Sequence, residues 1–387
     1  PIGIFLSGGL DSNYILKKAL RKNKDIVALI CNIPDKDKFT KNNTDTEIPK
    51  KICKDLNCKF KVIKFDYNYL NNKLIKIIES FDEIITSSGA LIFYALSEEA
   101  KKNNLKVILT GTGGDEIAGG YYWQSKLNFI PNFLFKGDKS KFSLIDKIMK
   151  RILFKKNKLL IRLYKLYQLL FKPDVYHVET HGINLSPFLQ DIYESAEKKI
   201  TETYKEYSNI LDKKFGDKKS NSLNFKNIYL TISAQNYMMD ILTMAHSIEN
   251  RSPLLDYKLF EYMMSIPRGI KNKNEIKSLY RKILGESLPD YVINAKKSGP
   301  NLPIKFWLDK RPNIKTQIIS FINKNLIYIE KYISKDLAYN IKNENIFSHD
   351  KDCLIIFKIL CLIIWFKINI DKSIKNTDQT LEQLVSC

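Results

Sequence analysis

Pro1-Ile2-Gly3-Ile4-Phe5-Leu6-Ser7-Gly8-Gly9-Leu10-Asp11-Ser12 is the stretch on which the rest of the chain is organised. An apolar run of strand character stops at Ser7-Gly8-Gly9, and from Asp11 to about Leu20 the apolar residues recur at helical spacing. The stretch reads as a strand, a glycine turn and a helix. Gly8 and Gly9 permit a tight turn and leave no side chain to block a ligand, while the helix start offers unpaired N–H groups and the positive dipole end to an anion. Asp11 sits where the common triphosphate loop would carry its lysine. A carboxylate among phosphates calls for a divalent cation, and Mg²⁺ held by one or two carboxylates plus phosphate oxygens meets that need. Pyrophosphate, rather than hydride chemistry, is indicated.

Working outward, Ile26-Val27-Ala28-Leu29-Ile30 reads as a buried strand, Glu47 to Leu56 as a helix, and Phe60 to Phe65 as an alternating strand. Strand and helix in alternation predict an α/β fold with a doubly wound parallel sheet, whose ligands bind at the carboxyl ends of the strands. Ala90 to Lys102 reads as a further helix and Val107-Ile108-Leu109 as a short buried strand. That strand feeds Thr110-Gly111-Thr112-Gly113-Gly114-Asp115-Glu116, a second glycine-rich turn. If both turns lie on one sheet edge, Asp115 approaches the same cation as Asp11.

The Ser-Gly-Gly-Leu-Asp-Ser string resembles the pyrophosphate loop of the ATP-pyrophosphatase superfamily. With the second turn about a hundred residues later, the chain resembles the synthetase domain of the asparagine synthetase family. The resemblance implies a sheet of the adenine-nucleotide α-hydrolase and ATP-pyrophosphatase type with a large helical portion. It implies that Leu6, Ser7, Gly8, Gly9, Leu10, Asp11 and Ser12 hold the ATP pyrophosphate together with Gly111, Gly113 and Gly114, and that Asp11 and Asp115 bind Mg²⁺. Residues 80–97, with Asp82 and Ser87, are similar to the stretch lining the family's nucleotide and aspartate pocket.

The resemblance resumes at Asp240 to Asp256. Glu249 lies where relatives have an acid near the nucleophile's approach, and Arg251, Pro253 and Asp256 are expected in the pocket wall. Read without the family, this segment is a buried helix followed by a proline turn, with Arg251 paired to Asp240 or Asp256. Lys277 matches a helix lysine near the phosphates, and Lys297 the lysine that contacts the α-phosphate during adenylation. In so lysine-rich a chain a single lysine is ordinarily solvated surface; their place in an ordered set of motifs lifts these two.

Two positions depart from the family's pattern. Thr112 stands where asparagine synthetases carry an acid that helps deprotonate ammonia, and threonine is a poor base at neutral pH. Ala295 stands where an arginine is common. The implied chemistry is acyl-adenylate formation from ATP and a carboxylate, aspartate or another acid, followed by attack of ammonia or an amine. Two other readings stay open: a related amide ligase acting on a peptide, antibiotic precursor or surface sugar, and a non-catalytic paralogue used for binding.

The 387 residues suffice for a substantial core, with hydrophobic content of 44%. A formal charge of +21 invites a nucleic-acid reading. The lysines are dispersed and no recognised nucleic-acid motif accompanies them, so no nucleic-acid partner is expected. Residues 142–170 alternate basic and apolar residues, as a membrane- or partner-binding helix would, or as helices packing an apolar stripe on the domain with lysines outward. His177 and His181 flank Glu179 without the His-Glu-x-x-His spacing of a zinc site. Six cysteines without a Cys-x-x-Cys pair point to a reducing, cytoplasmic compartment. Residues 353–366 are too short and too interrupted by Lys358 for a membrane span, and read as a buried helix.

The expected organisation is one synthetase domain over 1–370: a nucleotide-binding core (1–123), a helical region (124–225), catalytic helices and loops (226–310) and C-terminal helices (311–370). A polar, frayed tail (371–387) follows. Pro1 starts inside a strand, so a trimmed domain is expected, and a glutaminase domain is absent from these residues. That activity would come from a domain trimmed away or from a separate subunit, or not be used.

Overall fold

The computed structural model describes residues 1–34, 44–85, 87, 89–121, 202, 203, 206, 231–272, 275–295, 302–330, 339, 341 and 350–386. Strands β1 (Ile2–Phe5), β2 (Ile26–Asn32), β3 (Lys59–Lys64), β4 (Val107–Leu109) and β5 (Glu249–Arg251) form one sheet in the order β3-β2-β1-β4-β5. All neighbouring strands are parallel, with Ile2 opposite both Ile26 and Val107. The first half of the chain supplies α1 (Leu10–Leu20), α2 (Thr44–Asp55), α3 (Tyr67–Glu79), α4 (Gly89–Lys102) and α5 (Gly114–Ala118). The described residues of the second half add α6 (Ser233–Met244), α7 (Tyr257–Ser265), α8 (Arg268–Lys271), α9 (Ser278–Gly285), α10 (Asp290–Ile293), α11 (Ile304–Asp309), α12 (Pro312–Lys324), α13 (Asp350–Asn369) and α14 (Leu381–Ser386).

Because successive strand residues point to opposite faces, each central strand feeds two apolar layers. Phe5, Leu29 and Ile108 join one core with α3, α4, α6, α11, α12 and α13. Ile4, Ala28 and Ile30 join the other, under α1, α2, α5, α7, α9 and α10. This is the doubly wound α/β sheet expected from the sequence. Gly3 lies at its centre, where a Cβ would come within 2.6 Å of Leu105 and 2.7 Å of Ile108.

β1 hydrogen-bonds to β2 on one side and to β4 on the other, so the chain reverses its direction of travel across the sheet between β1 and β4. At such a switch point the connections leave in opposite directions and open a crevice at the carboxyl ends of the strands. Both glycine turns lie there.

β5 was not expected. The sequence reading passes from a helix directly to a proline turn, whereas Glu249-Asn250-Arg251 forms a strand on β4. Glu249 N–H donates to the Lys106 carbonyl and Thr110 N–H to that of Arg251, each at 2.9 Å. The expectation of a frayed tail is also corrected over the described residues 371–386. There α14 buries Leu381, Leu384 and Val385. Glu382 accepts from Tyr67 Oη at 3.0 Å, and its N–H donates to Asn71 at 2.9 Å. The apolar helix expected at 353–366 is α13, with Cys353, Ile363 and Ile364 fully buried. None of the described helices is long and apolar enough to cross a membrane. Residues 142–170, His177 and His181 lie outside the described residues.

Candidate active site

The first turn is held open by its own polar side chains. Gly9 N–H donates to Ser7 Oγ at 3.2 Å, and Ser7 N–H to Ser12 Oγ at 3.3 Å. The fully buried Asn13 donates to the carbonyls of Ser7 and Gly9 at 2.9 and 2.6 Å. Asn13 lies one residue past the quoted string, and its polarity inside an otherwise apolar helix face was the signal for it. Gly9 itself has an ordinary extended conformation, φ −77° and ψ 149°. Left-handed backbone occurs at the second turn, where Gly113 has φ 93° and Gly119 φ 71°. Gly113 also admits Leu255, whose Cδ2 would lie 2.2 Å from a Cβ there.

The two turns meet. A Cβ on Gly114 would come within 2.4 Å of the Asp11 carboxylate, and one on Gly111 within 3.2 Å of Asp11 Cβ. Lys277 joins them: its Nζ lies 2.7 and 3.0 Å from the oxygens of Asp11 and 2.8 Å from Oδ1 of Asp115. The Lys277 side chain is only 7% exposed. Burial by itself would lower the ammonium's pKa, but the carboxylates of Asp11 and Asp115 prevail and hold it above the usual lysine value.

Lys277 does not lie within a helix, as the sequence reading had it; it precedes α9 in a left-handed conformation, φ 57°. Its N–H donates to Asn272 Oδ1 at 2.8 Å. Asn272 in turn donates to the Gly119 carbonyl at 3.0 Å. Next to Asp115, Glu116 is buried with the Tyr121 hydroxyl donating to it. Burial pushes its carboxyl pKa up, against the hydrogen bond from Tyr121, and the Asp115 charge adds to the rise.

A cavity of about 340 Å³ opens from this cluster, within the range of small-ligand sites. Leu6, Ser7, Gly8, Gly9, Leu10, Asp11, Ser12, Gly111, Thr112, Asp115 and Lys277 all line it. Phe5, Ile33, Ile92 and Leu96 add apolar lining. Asp45 and Thr46, from the first turn of α2, also line it, and Thr46 Oγ1 donates to the Cys31 carbonyl at 3.2 Å. The helix begins at Thr44, three residues before the expected Glu47, and this brings both residues to the cavity. Arg281 and Ala295 line it as well. Arg281 donates to the Ile293 carbonyl.

Other expected residues lie differently. Thr112 Oγ1 accepts from Thr110, which in turn shares a 3.0 Å hydrogen bond with Ser252. Arg251 pairs with Glu249 at 2.6 Å, rather than with Asp240 or Asp256, and both side chains are more than half exposed. Neither is part of the cavity lining. Asp256 caps α7, accepting from the N–H groups of Lys258 and Leu259 at 3.1 and 3.2 Å. Asp82 and Ser87 are exposed, and Ser87 Oγ accepts from Gly89 N–H at 3.2 Å. Gly113 and Gly114 are not among the cavity-lining residues; they make room for Leu255 and the Asp11 carboxylate respectively. Lys297 lies outside the described residues.

A parallel sheet with glycine turns at the ends of two adjacent strands, both feeding one cavity, defines an α/β fold of the ATP-pyrophosphatase type. The asparagine synthase family model matches residues 1–349, and the chain belongs to that family. It is 26% identical over 392 residues to asparagine synthetase (glutamine-hydrolyzing) 1 of Bacillus subtilis, covering 96% of this chain and 57% of that protein. A putative asparagine synthetase (glutamine-hydrolyzing) of Mycobacterium tuberculosis is 24% identical over 314 residues, 79% of this chain and 46% of its own length. A putative asparagine synthetase (glutamine-hydrolyzing) 1 of Methanocaldococcus jannaschii is 34% identical over 123 residues, 31% of this chain and 21% of the relative. The chain spans about half the length or less of these curated relatives.

Proposed function

We propose that this protein is a ligase that forms an amide from a carboxylic acid and an amine at the expense of ATP, through an acyl-adenylate, with AMP and pyrophosphate as products. The observation that carries the reading is the convergence of Asp11 and Asp115 on one cationic atom in the lining of a cavity to which both glycine turns contribute. A polyphosphate needs backbone N–H groups and fixed positive charge, which the turn at Ser7 to Ser12, Lys277 and Arg281 offer together.

Hard carboxylate oxygens converging on one point are donors suited to Mg²⁺. No group of three His, Cys, Asp or Glu side chains is assembled among the described residues, as befits a cation that takes its remaining ligands from substrate phosphates. Asp11 and Asp115 would hold it. When bound, Mg²⁺ neutralises charge on the leaving pyrophosphate.

In the proposed reaction a substrate carboxylate oxygen attacks the α-phosphorus of ATP, and the bond to pyrophosphate breaks. The amine then attacks the acyl carbon and AMP leaves. The protein's share is positioning: the first turn orients the phosphates and Lys277 supplies positive charge near them. Lys297 is proposed as the contact to the α-phosphate.

Aspartate with ammonia, giving asparagine, is the proposed pair, the ammonia being free or delivered by a glutaminase domain or subunit. The names of the relatives support this pair. Thr112 favours a second reading, in which the same chemistry serves another carboxylate. Its hydroxyl is engaged by Thr110 and it is no base at neutral pH. A cytoplasmic setting is supported by the free thiols at Cys53, Cys58 and Cys361.

Incubation with MgATP, aspartate and ammonia, with pyrophosphate measured and the product identified by mass, tests the reading. Asparagine is the expected product, and Asp11→Asn should reduce pyrophosphate release by at least ~10²-fold. Pyrophosphate only with another acid would select the second reading. Silence with every acid and amine would reject ligase activity.

A further inference from the structure

Lys277 satisfies three carboxylate oxygens on two different turns, at 2.7, 3.0 and 2.8 Å. An ammonium has three protons to donate, so its bonding capacity is filled by these contacts. A divalent cation bridging the same carboxylates would bind their oxygens at about 2.0–2.6 Å. It would then share those oxygens with a cation already in contact with them, in a site where charge repulsion is weakly screened. Ammonium and metal therefore compete for one position.

We infer that Lys277 is an internal counter-ion that closes Asp11 and Asp115 to free divalent cations. It yields them only when phosphate oxygens offer its ammonium a new partner. Metal and polyphosphate consequently bind cooperatively, each weakly without the other. The inference rests on the metal assignment proposed above.

Three features make Lys277 suited to the exchange. Its backbone is pinned by the Asn272 hydrogen bond and its left-handed conformation, so the side chain can swing without moving the loop. Gly120 leaves the room it needs: a Cβ there would come within 2.4 Å of Lys277 Cε and 2.0 Å of Asp115 Oδ1. Lys277 also lines the same cavity as Ser7, Gly8 and Gly9, so a displaced ammonium finds bound phosphate without crossing into bulk water.

Charge balance points the same way. Two carboxylates and one ammonium leave a single net negative charge. A divalent cation alone would reverse it and strand a buried ammonium without its partners, which is costly. Bound phosphate removes both penalties.

The test is Mn²⁺ binding to the full chain, followed by the electron paramagnetic resonance of the free ion, with and without inorganic pyrophosphate. Titrations of Mn²⁺ against pyrophosphate alone correct for their complex in solution. Wild type should bind Mn²⁺ alone weakly and bind it more tightly with pyrophosphate, by about 5- to 150-fold, the usual span of a coupling between two ligands. Lys277→Gln should bind Mn²⁺ alone more tightly than wild type and lose that coupling. Equal Mn²⁺ affinity in wild type with and without pyrophosphate overturns the inference, and needs no variant that might misfold. So does a folded Lys277→Gln, checked by circular dichroism, whose affinity for Mn²⁺ alone matches wild type. Asp11→Asn and Asp115→Asn separate the two claims. If both still bind Mn²⁺ with pyrophosphate as wild type does, the metal assignment itself fails. If both lose it while Lys277→Gln behaves as wild type, only the counter-ion role falls.

Discussion

Asn272 donates its side-chain amide to the carbonyl of Gly119 at 3.0 Å, clasping the end of the second glycine turn to a loop far along the chain. The same side chain accepts the N–H of Lys277 at 2.8 Å, and Asn272 is only 4% exposed. One amide thereby fixes where the Lys277 ammonium stands relative to Asp115. Asn272→Ala leaves a buried carbonyl and a buried N–H unsatisfied, which costs about 1–3 kcal/mol. The melting temperature should fall, and pyrophosphate release should fall further than stability alone explains. Calorimetry beside the pyrophosphate assay checks both.

Gly120→Ala should damage the site more than the fold. The added Cβ would come within 2.0 Å of Asp115 Oδ1 and 2.4 Å of Lys277 Cε, so one charged side chain or the other must move. A loss of ~10²-fold in turnover is expected from misplaced groups. Gly269→Ala is the control, since a Cβ there meets nothing within 4 Å. Turnover in both variants at wild-type level would contradict the packing of the two turns.

His246 gives the fold a pH-dependent stability. It is 8% exposed, packs edge-on against Tyr94 with ring centroids 4.6 Å apart, and its Nε2 is buried without a hydrogen-bond partner. Burial holds its pKa below the ordinary value of 6.5; Glu98 pulls upward, while Lys101, Lys73 and Lys102 push down with burial. Below that ordinary value the unfolded chain binds a proton that the folded chain refuses, so stability falls as pH drops toward the folded pKa. His246→Phe removes this dependence. The difference in melting temperature between wild type and variant should be level above about pH 7.5 and should shift against wild type below about pH 6.5.

The C-terminal helix carries stability. Leu381 is 1% exposed and belongs to the core shared with α3, α12 and α13. Leu381→Ala should cost about 2–5 kcal/mol in urea unfolding, as for other buried leucines. A frayed tail would predict no change.

Local pattern was enough for much of this protein. The apolar runs before Ser7, at 26–30 and at 107–109 read as buried strands because a strand covered on both faces needs apolar residues on both, and they fall within β1, β2 and β4. The glycine turns were legible because both follow such strands, and the long apolar α13 because its composition suits only burial. The alternation read over 60–65 corresponds to β3, which starts and ends one residue earlier, forms the sheet edge and leaves its lysines in water.

The remainder depends on contacts between distant parts of the chain. Glu249-Asn250-Arg251 has no strand propensity of its own, and only the ladder with β4 makes it one, which also turns Arg251 toward Glu249. The family resemblance places Lys277 near the phosphates but does not say that its ammonium pairs with both Asp11 and Asp115, because a lysine's partners are set by which turns the folded sheet brings beside it. The sparse apolar residues of 371–386 look like a solvated tail until α3 and α12 supply the surface that buries them. Sequence alone determined where the backbone turns and which residues need burial, since these follow from neighbours a few positions away. Tertiary structure decided which charges meet, since electrostatic pairing depends on distance through space, and the chain's order does not encode that distance locally.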